Sequence, residues 1–182
     1  RNGNEIIPFE YDDACAFRGY NVVPVKKNGK WGVIDSRGTE VIPFKYDDIF
    51  SKKDSANRYV HKGFSEGMLS VKSNGKWGYV NQYGVEVVPM LFDEVAIFFR
   101  GGMASVRLNN KWGYVNLLGD IVVQPKYDEV EEFFEDMTAV KLNNKWGYID
   151  KFGKEIIPFK YDEAKEFYNG FAAVKLGDKW GY

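Results

Sequence analysis

Lys145-Trp146-Gly147-Tyr148-Ile149-Asp150-Lys151-Phe152-Gly153-Lys154-Glu155-Ile156-Ile157-Pro158 is the stretch that decides the fold. Its first half alternates as an extended strand does: Trp146 and Tyr148 project to one face, Gly147 and Ile149 to the other. Asp150-x-x-Gly153 then spells a tight turn, because the aspartate side chain can accept from amides just downstream and glycine takes the left-handed backbone. The β-branched pair Ile156-Ile157 resumes an extended strand, and Pro158, which has no amide to donate, marks its end. Upstream, Thr138 to Leu142 reads as another short strand. Asn143-Asn144 joins it to the tryptophan strand, and both residues tolerate the positive φ of a two-residue type I′ hairpin.

The same stretch recurs. Trp31, Trp77, Trp112, Trp146 and Trp180 are each preceded by Lys and followed by Gly, at intervals of 46, 35, 34 and 34 residues. An aromatic-acidic-acidic marker keeps the same register at Tyr11-Asp12-Asp13, Tyr46-Asp47-Asp48, Phe92-Asp93-Glu94, Tyr127-Asp128-Glu129 and Tyr161-Asp162-Glu163. Repetition at such a period signals a repeat architecture. The chain is therefore expected to be all-β: five tandem antiparallel units of about 34 residues, taken approximately as 1–35, 36–81, 82–116, 117–150 and 151–182 within a single domain. The long first interval places an insertion at Ser51 to Lys62, where the sequence stops resembling its siblings. The hairpin pair is Asn28-Gly29, Asn74-Gly75, Asn109-Asn110 or Gly177-Asp178 in the other units. The second turn recurs as Asp35 to Gly38, Asn81 to Gly84 and Asn116 to Gly119. The segment from the acidic pair to the next aromatic (Phe17, Phe64, Phe98, Phe133 or Phe167) reads as a turn or short fourth strand crossing to the next unit.

Both faces of each small sheet are partly apolar, so every sheet requires a neighbour on each side. Two architectures meet that requirement: a propeller-like closed ring and an open superhelical array. Arg1-Asn2-Gly3 resembles the turn after a tryptophan strand, and the residues end on such a strand at Trp180-Gly181-Tyr182, so head and tail add up to one unit, as in a ring or in a segment of a longer array cut at a unit boundary. The glycines Gly32, Gly78, Gly113, Gly147 and Gly181 are expected to mark places where another group approaches the backbone, an aromatic ring of an adjacent unit being the expected group. With their tryptophans they form the packing seam.

Composition narrows the function. The 182 residues are 45% hydrophobic and 17% aromatic, enough for a real core, and 25 Lys+Arg nearly cancel 26 Asp+Glu. No strong field recruits nucleic acid or an anionic membrane, and no apolar run approaches a membrane helix. No basic-then-apolar leader is visible in these residues, and an opening on Arg1 rather than Met is what removal of a leader leaves; one cysteine excludes an internal disulfide framework while leaving both cytoplasmic and exported locations open.

The Lys-Trp-Gly-Tyr-Ile/Val-Asp/Asn-x-x-Gly run, followed by Ile-Ile-Pro-Phe-Lys-Tyr-Asp and Phe-x-x-Gly-Met-Ala-x-Val-Lys, resembles the WG-repeat (KWG-repeat) family over nearly the whole chain. The resemblance implies β-rich tandem repeats in a bacterial protein and carries no catalytic motif, cofactor or metal. Departures are Val33 in place of Tyr, Asn21-Val22-Val23-Pro24 in the first copy, and the 51–62 insertion.

Cys15 and His61 are the only residues of their kinds; no zinc cluster can form from them, and Cys15 is expected to be a small buried side chain. The five acidic pairs lack the interleaved spacing of a calcium loop. They are expected to cap turns and to pair with Lys26, Lys72, Arg107, Lys141 and Lys175. Five near-identical carboxylate pairs also argue against a glycosidase, which needs one differentiated pair. Binding residues are better sought where copies differ: Lys52, Lys53, Arg58, Tyr59, His61 and Lys62 in the insertion, and Phe99 and Arg100. The leading expectation is a noncatalytic scaffold for a protein partner; the alternative is a carbohydrate- or cell-wall-binding module using exposed aromatics.

Overall fold

The computed structural model describes residues 7–15, 20–49 and 63–182, and among them all regular structure is β. Five antiparallel sheets follow one another along the chain. The first comprises β1 (Asp13–Ala14), β2 (Val22–Lys27), β3 (Lys30–Asp35) and β4 (Glu40–Tyr46). The second comprises β5 (Met68–Ser73), β6 (Lys76–Asn81) and β7 (Glu86–Phe92), and the third β8 (Glu94–Val95), β9 (Met103–Leu108), β10 (Lys111–Asn116) and β11 (Ile121–Tyr127). The fourth contains β12 (Glu129–Val130), β13 (Met137–Leu142), β14 (Lys145–Asp150) and β15 (Glu155–Tyr161); the fifth contains β16 (Glu163–Ala164), β17 (Val174–Leu176) and β18 (Lys179–Gly181). The tandem all-β reading is thus correct. The acidic marker is the crossing: at Asp13, Glu94, Glu129 and Glu163 its second residue starts a two-residue strand that pairs with the next long strand, as Glu129 does with Lys141, and Asp48 makes an isolated bridge with Lys72.

The hairpins follow their residues. Asn28-Gly29, Asn74-Gly75, Asn109-Asn110 and Asn143-Asn144 all hold both central residues at positive φ, as a type I′ turn requires. The last hairpin differs from the sequence expectation. Gly177 sits at φ 61° while Asp178 is not in the positive region, which is the pattern of a type II′ turn with glycine first. The second turns close as Asx turns. Asp150 Oδ1 accepts from the amides of Phe152 and Lys154, both at 2.9 Å, and Asn116 Oδ1 accepts from those of Leu118 and Asp120, also at 2.9 Å.

The expectation about the strand glycines holds in part: an aromatic ring does approach Gly147, with Phe159 Cδ1 3.0 Å from where a Cβ would stand, but Phe159 lies in the same sheet and the Ile157 carbonyl oxygen, at 2.7 Å, stands closer still. Gly32 meets the Ile42 carbonyl in the same way at 2.8 Å. The cause is a bulge. Trp146 pairs with Tyr161 and Tyr148 with Ile157, so β15 spends two more residues than β14 over the same interval. The bulge contains Pro158, which cannot donate to the ladder, and the strand bows toward the one neighbour without a side chain.

The chain divides into two compact units, Arg1–Leu91 and Phe92–Tyr182. In each, the core lies between consecutive sheets. In the second unit, Tyr114, Val123 and Tyr127 pack with Val140 and Ile149 of the next sheet, closed by Phe133. Trp146 and Tyr148, on the other face of that sheet, pack with Ala164, Phe167 and Ala172. The fourth sheet is therefore apolar on both faces, as its alternation requires. In the first unit, Trp31, Val33, Ile42 and Tyr46 pack with Leu69, Val71 and Val80, so Val33 remains a core residue despite its departure from Tyr.

Candidate functional site

The acidic pairs are the first candidates, and the structure gives each member a separate job. The second acid pairs across its own sheet: Glu129 with Lys141 at 2.7 Å, Glu163 with Lys175 at 2.9 Å, and Glu94 with Arg107. The same cations lie over the tryptophans, with Lys141 Nζ 5.9 Å from the Trp146 ring centre and Arg107 5.7 Å from that of Trp112. Trp112, Trp146 and Trp180, the last under Lys175 at 6.0 Å, are therefore each roofed by a cation that a carboxylate holds in place.

The first acid caps the hairpin of its own sheet and reaches back to the previous one. Asp128 Oδ2 accepts from the Asn143 amide at 2.9 Å while Oδ1 binds the Lys111 ammonium. Asp162 accepts from the Gly177 amide at 2.7 Å and from Lys145 Nζ at 2.5 Å. Asp47 does so with the Asn74 amide at 2.8 Å and Lys30 Nζ at 2.5 Å. Turn capping and pairing with Arg107, Lys141 and Lys175 were legible from the sequence. The lysine preceding each tryptophan, Lys30, Lys111 or Lys145, was the missed partner, because only stacking brings it to the next unit's aspartate. These lysines and the turn amides hold the carboxyls of Asp47, Asp128 and Asp162 below the ordinary aspartate range.

Buried tyrosines supply a second tie between sheets. The Tyr148 hydroxyl donates to the Lys165 carbonyl at 2.8 Å, and the Tyr114 hydroxyl donates to the Glu131 carbonyl at 2.6 Å. Burial pushes the Tyr148 phenol up to about 12 and Tyr114 higher still, so neither serves as a proton carrier near neutral pH.

Lys52, Lys53, Arg58, Tyr59, His61 and Lys62 lie outside the described residues. Phe99 is 3% exposed, a core position from which it offers no face to a ligand. Arg100 is accessible: its guanidinium lies over the rings of Phe98 and Phe134, at 5.8 and 5.5 Å, and pairs with Glu132 at 2.7 Å. Cys15 is half-buried and packs beside Val23, Val25 and Ile34. Among the described residues no cluster of His, Cys, Asp and Glu could hold a metal ion.

The accessible feature that sequence reasoning passed over is a set of large apolar tips on the Asx turns. Leu118 and Phe152 occupy the same turn position in consecutive sheets of the second unit and are 81% and 84% exposed. Tyr83, 74% exposed, holds that position in the first unit. The signal was present, since the third residue of a solvent-facing Asx turn has no structural need to be apolar.

The comparisons with known proteins bear on the repeat itself. No curated protein matches the chain. Among solved structures, one described as the crystal structure of the eukaryotic initiation factor is similar at 11% identity and a TM-score of 0.47, covering 94% of this chain and 51% of that one, so the chain spans about half the length of the solved chain it matches. A family model described as a WG containing repeat matches residues 1–31, 31–52, 62–77, 77–112, 112–146 and 146–180, running from tryptophan to tryptophan with one interruption inside the 51–62 stretch. With its period, its marker residues and its sheets all in the register of that repeat, the chain belongs to the WG-repeat family.

Proposed function

We propose that this chain is a noncatalytic scaffold that engages a protein partner through the apolar tips of its Asx turns. The observation that carries the reading is the pair Leu118 and Phe152, 81% and 84% exposed at equivalent positions of consecutive sheets. Each tip stands on a turn closed by two hydrogen bonds to one side chain, so its presentation is rigid and little entropy is lost on binding. Large exposed side chains repeated at the period of the array suit a partner offering several apolar contacts, each weak alone and additive through multivalency. The reading is further supported by the carboxylates, which are engaged in turn caps and ion pairs rather than paired in a cleft.

The test compares the wild-type chain with a Leu118→Lys/Phe152→Lys double variant as bait in quantitative affinity capture from extracts of the source cells. A protein retained by wild type, depleted at least tenfold by the double variant, and rebinding the chain in purified form supports the reading. Equal retention of every captured protein by both baits, with both chains folded, would refute it.

A further inference from the structure

The cleft in the first unit between the first two sheets has a volume of about 410 Å³ and is lined by Tyr20, Asn21, Val22, Val41, Gln82 and Tyr83. We propose that it binds a neutral hexopyranose or a short neutral oligosaccharide; the site shares the turn tip Tyr83 with the protein-binding reading above but does not involve Leu118 or Phe152, on which that reading is tested.

The lining has the chemistry such a ligand needs. Two tyrosines are among the lining, a ring chemistry on which the C–H face of a pyranose can rest, and two side-chain amides each carry donors and an acceptor, matching hydroxyls that also do both. Val22 and Val41 supply apolar wall. Among the described residues no charged side chain lines the cleft, so an anionic or cationic ligand would meet no counter-charge from them. The volume falls toward the lower end of small-ligand sites, which run from about 300 to 1,000 Å³.

The walls are also preorganised. One residue ties them together: the Gly67 amide donates to the Tyr20 hydroxyl at 3.2 Å, and the Gly67 carbonyl accepts from the Gln82 amide, also at 3.2 Å. The Tyr20 ring packs on Phe64 with centroids 5.4 Å apart, and the Tyr83 backbone is held by Asn81 Oδ1 at 3.0 Å. The side-chain amides of Asn21 and Gln82, by contrast, make no hydrogen bond with the described residues.

The second unit provides an internal control. The positions equivalent to Tyr20-Asn21 and Gln82-Tyr83 are Gly101-Gly102 and Lys151-Phe152. The two turns again come together, a Cβ on Gly101 standing 3.8 Å from Lys151 Nζ. Here, however, glycines replace an aromatic and an amide, and Lys151 is paired with Asp136 at 2.7 Å. Of these two junctions, the first, whose Asn21-Val22-Val23-Pro24 departs from its siblings, is the one furnished with rings and amides.

The experiment titrates the full chain with cellotriose, maltotriose, chitotriose and xylotriose by calorimetry and by saturation-transfer NMR, with trigalacturonate as the charged comparison. Binding of at least one neutral trisaccharide with a Kd of about 1 mM or tighter is expected. Tyr83→Ala and Gln82→Ala should each weaken it at least fivefold without moving the melting temperature, since Tyr83 is largely exposed and the Gln82 contact to Gly67 uses backbone only. Phe152→Ala should bind as wild type. Failure of every neutral sugar to bind, affinity unchanged in both cleft variants, or equal binding of trigalacturonate would overturn the proposal.

Discussion

Gly147 lies against the carbonyl of Ile157 so closely that a Cβ on the glycine would stand 2.7 Å from its oxygen. Gly147 is absent from the residues with left-handed backbone, so its requirement is for space, not for conformation. Gly147→Ala should therefore destabilise the second unit by about 1–3 kcal/mol through overpacking. Gly181, with nothing within 4 Å of its Cβ position, is the control, and Gly181→Ala should shift stability by less than about 0.5 kcal/mol. Urea denaturation followed by tryptophan fluorescence measures both; equal effects would mean that the bulge yields.

The two tyrosine ties should differ in strength. The Glu131 carbonyl accepts from Tyr114 and also from the Thr138 hydroxyl at 2.9 Å, whereas the residue equivalent to Thr138 in the next sheet is Ala172 and the Lys165 carbonyl has no such second donor. Tyr148→Phe should cost about 1–2 kcal/mol by leaving that carbonyl unsatisfied. Tyr114→Phe should cost less than half as much, and the Tyr114→Phe/Thr138→Val double variant should lose more than the sum of the single losses.

Acid should loosen the array from its aspartates. The carboxyls of Asp47, Asp128 and Asp162 sit below the unfolded value of 3.8, chiefly because of Lys30, Lys111 and Lys145. A depressed folded pKa contributes stability that is present above the unfolded value and is lost as pH falls through the folded one. The melting temperature should hold from neutral pH and then fall as pH drops below about 4. Asp128→Asn should lower it at pH 7 and flatten the acid limb; high salt should reduce the difference between the two chains. A parallel acid limb in the variant would assign acid sensitivity to other groups.

The five tryptophans should not be equivalent. Trp31 is 1% exposed and Trp180 is 49% exposed. Trp31→Ala should destabilise by about 3–5 kcal/mol, combining lost burial with a cavity. Trp180→Ala should cost well under half of that, and calorimetric melting of the two variants provides the comparison.

Much of the fold is legible residue by residue because each rule it uses is local. Asn-Gly and Asn-Asn tolerate two positive φ angles, Asp-x-x-Gly closes on its own amides, and alternation assigns faces without knowledge of the partner. The second acids found their cations by the same logic, since Glu129 and Lys141 stand only 12 residues apart across one hairpin. The reading of Gly177-Asp178 as type I′ missed because its glycine precedes its aspartate, and that order selects the other primed turn.

Long-range placement was beyond such rules. Nothing local in Gly147 says that the intruder is the bowed third strand of its own sheet, because the bulge depends on how β14 and β15 register around Pro158. Nothing in Lys111 names Asp128 as its partner, since that contact exists only once one sheet stacks on the next. Phe99 and Phe152 illustrate the same divide at the surface: both are single large apolar residues, but one is 3% exposed and the other 84%. The repeat, the strands and the turns follow from the order of residues alone, through short-range sterics and hydrogen bonding. Which carboxylates are consumed as clamps and which aromatics are left facing solvent follows from the packing of sheet on sheet, because burial and pairing are properties of the stacked sheets rather than of any one unit.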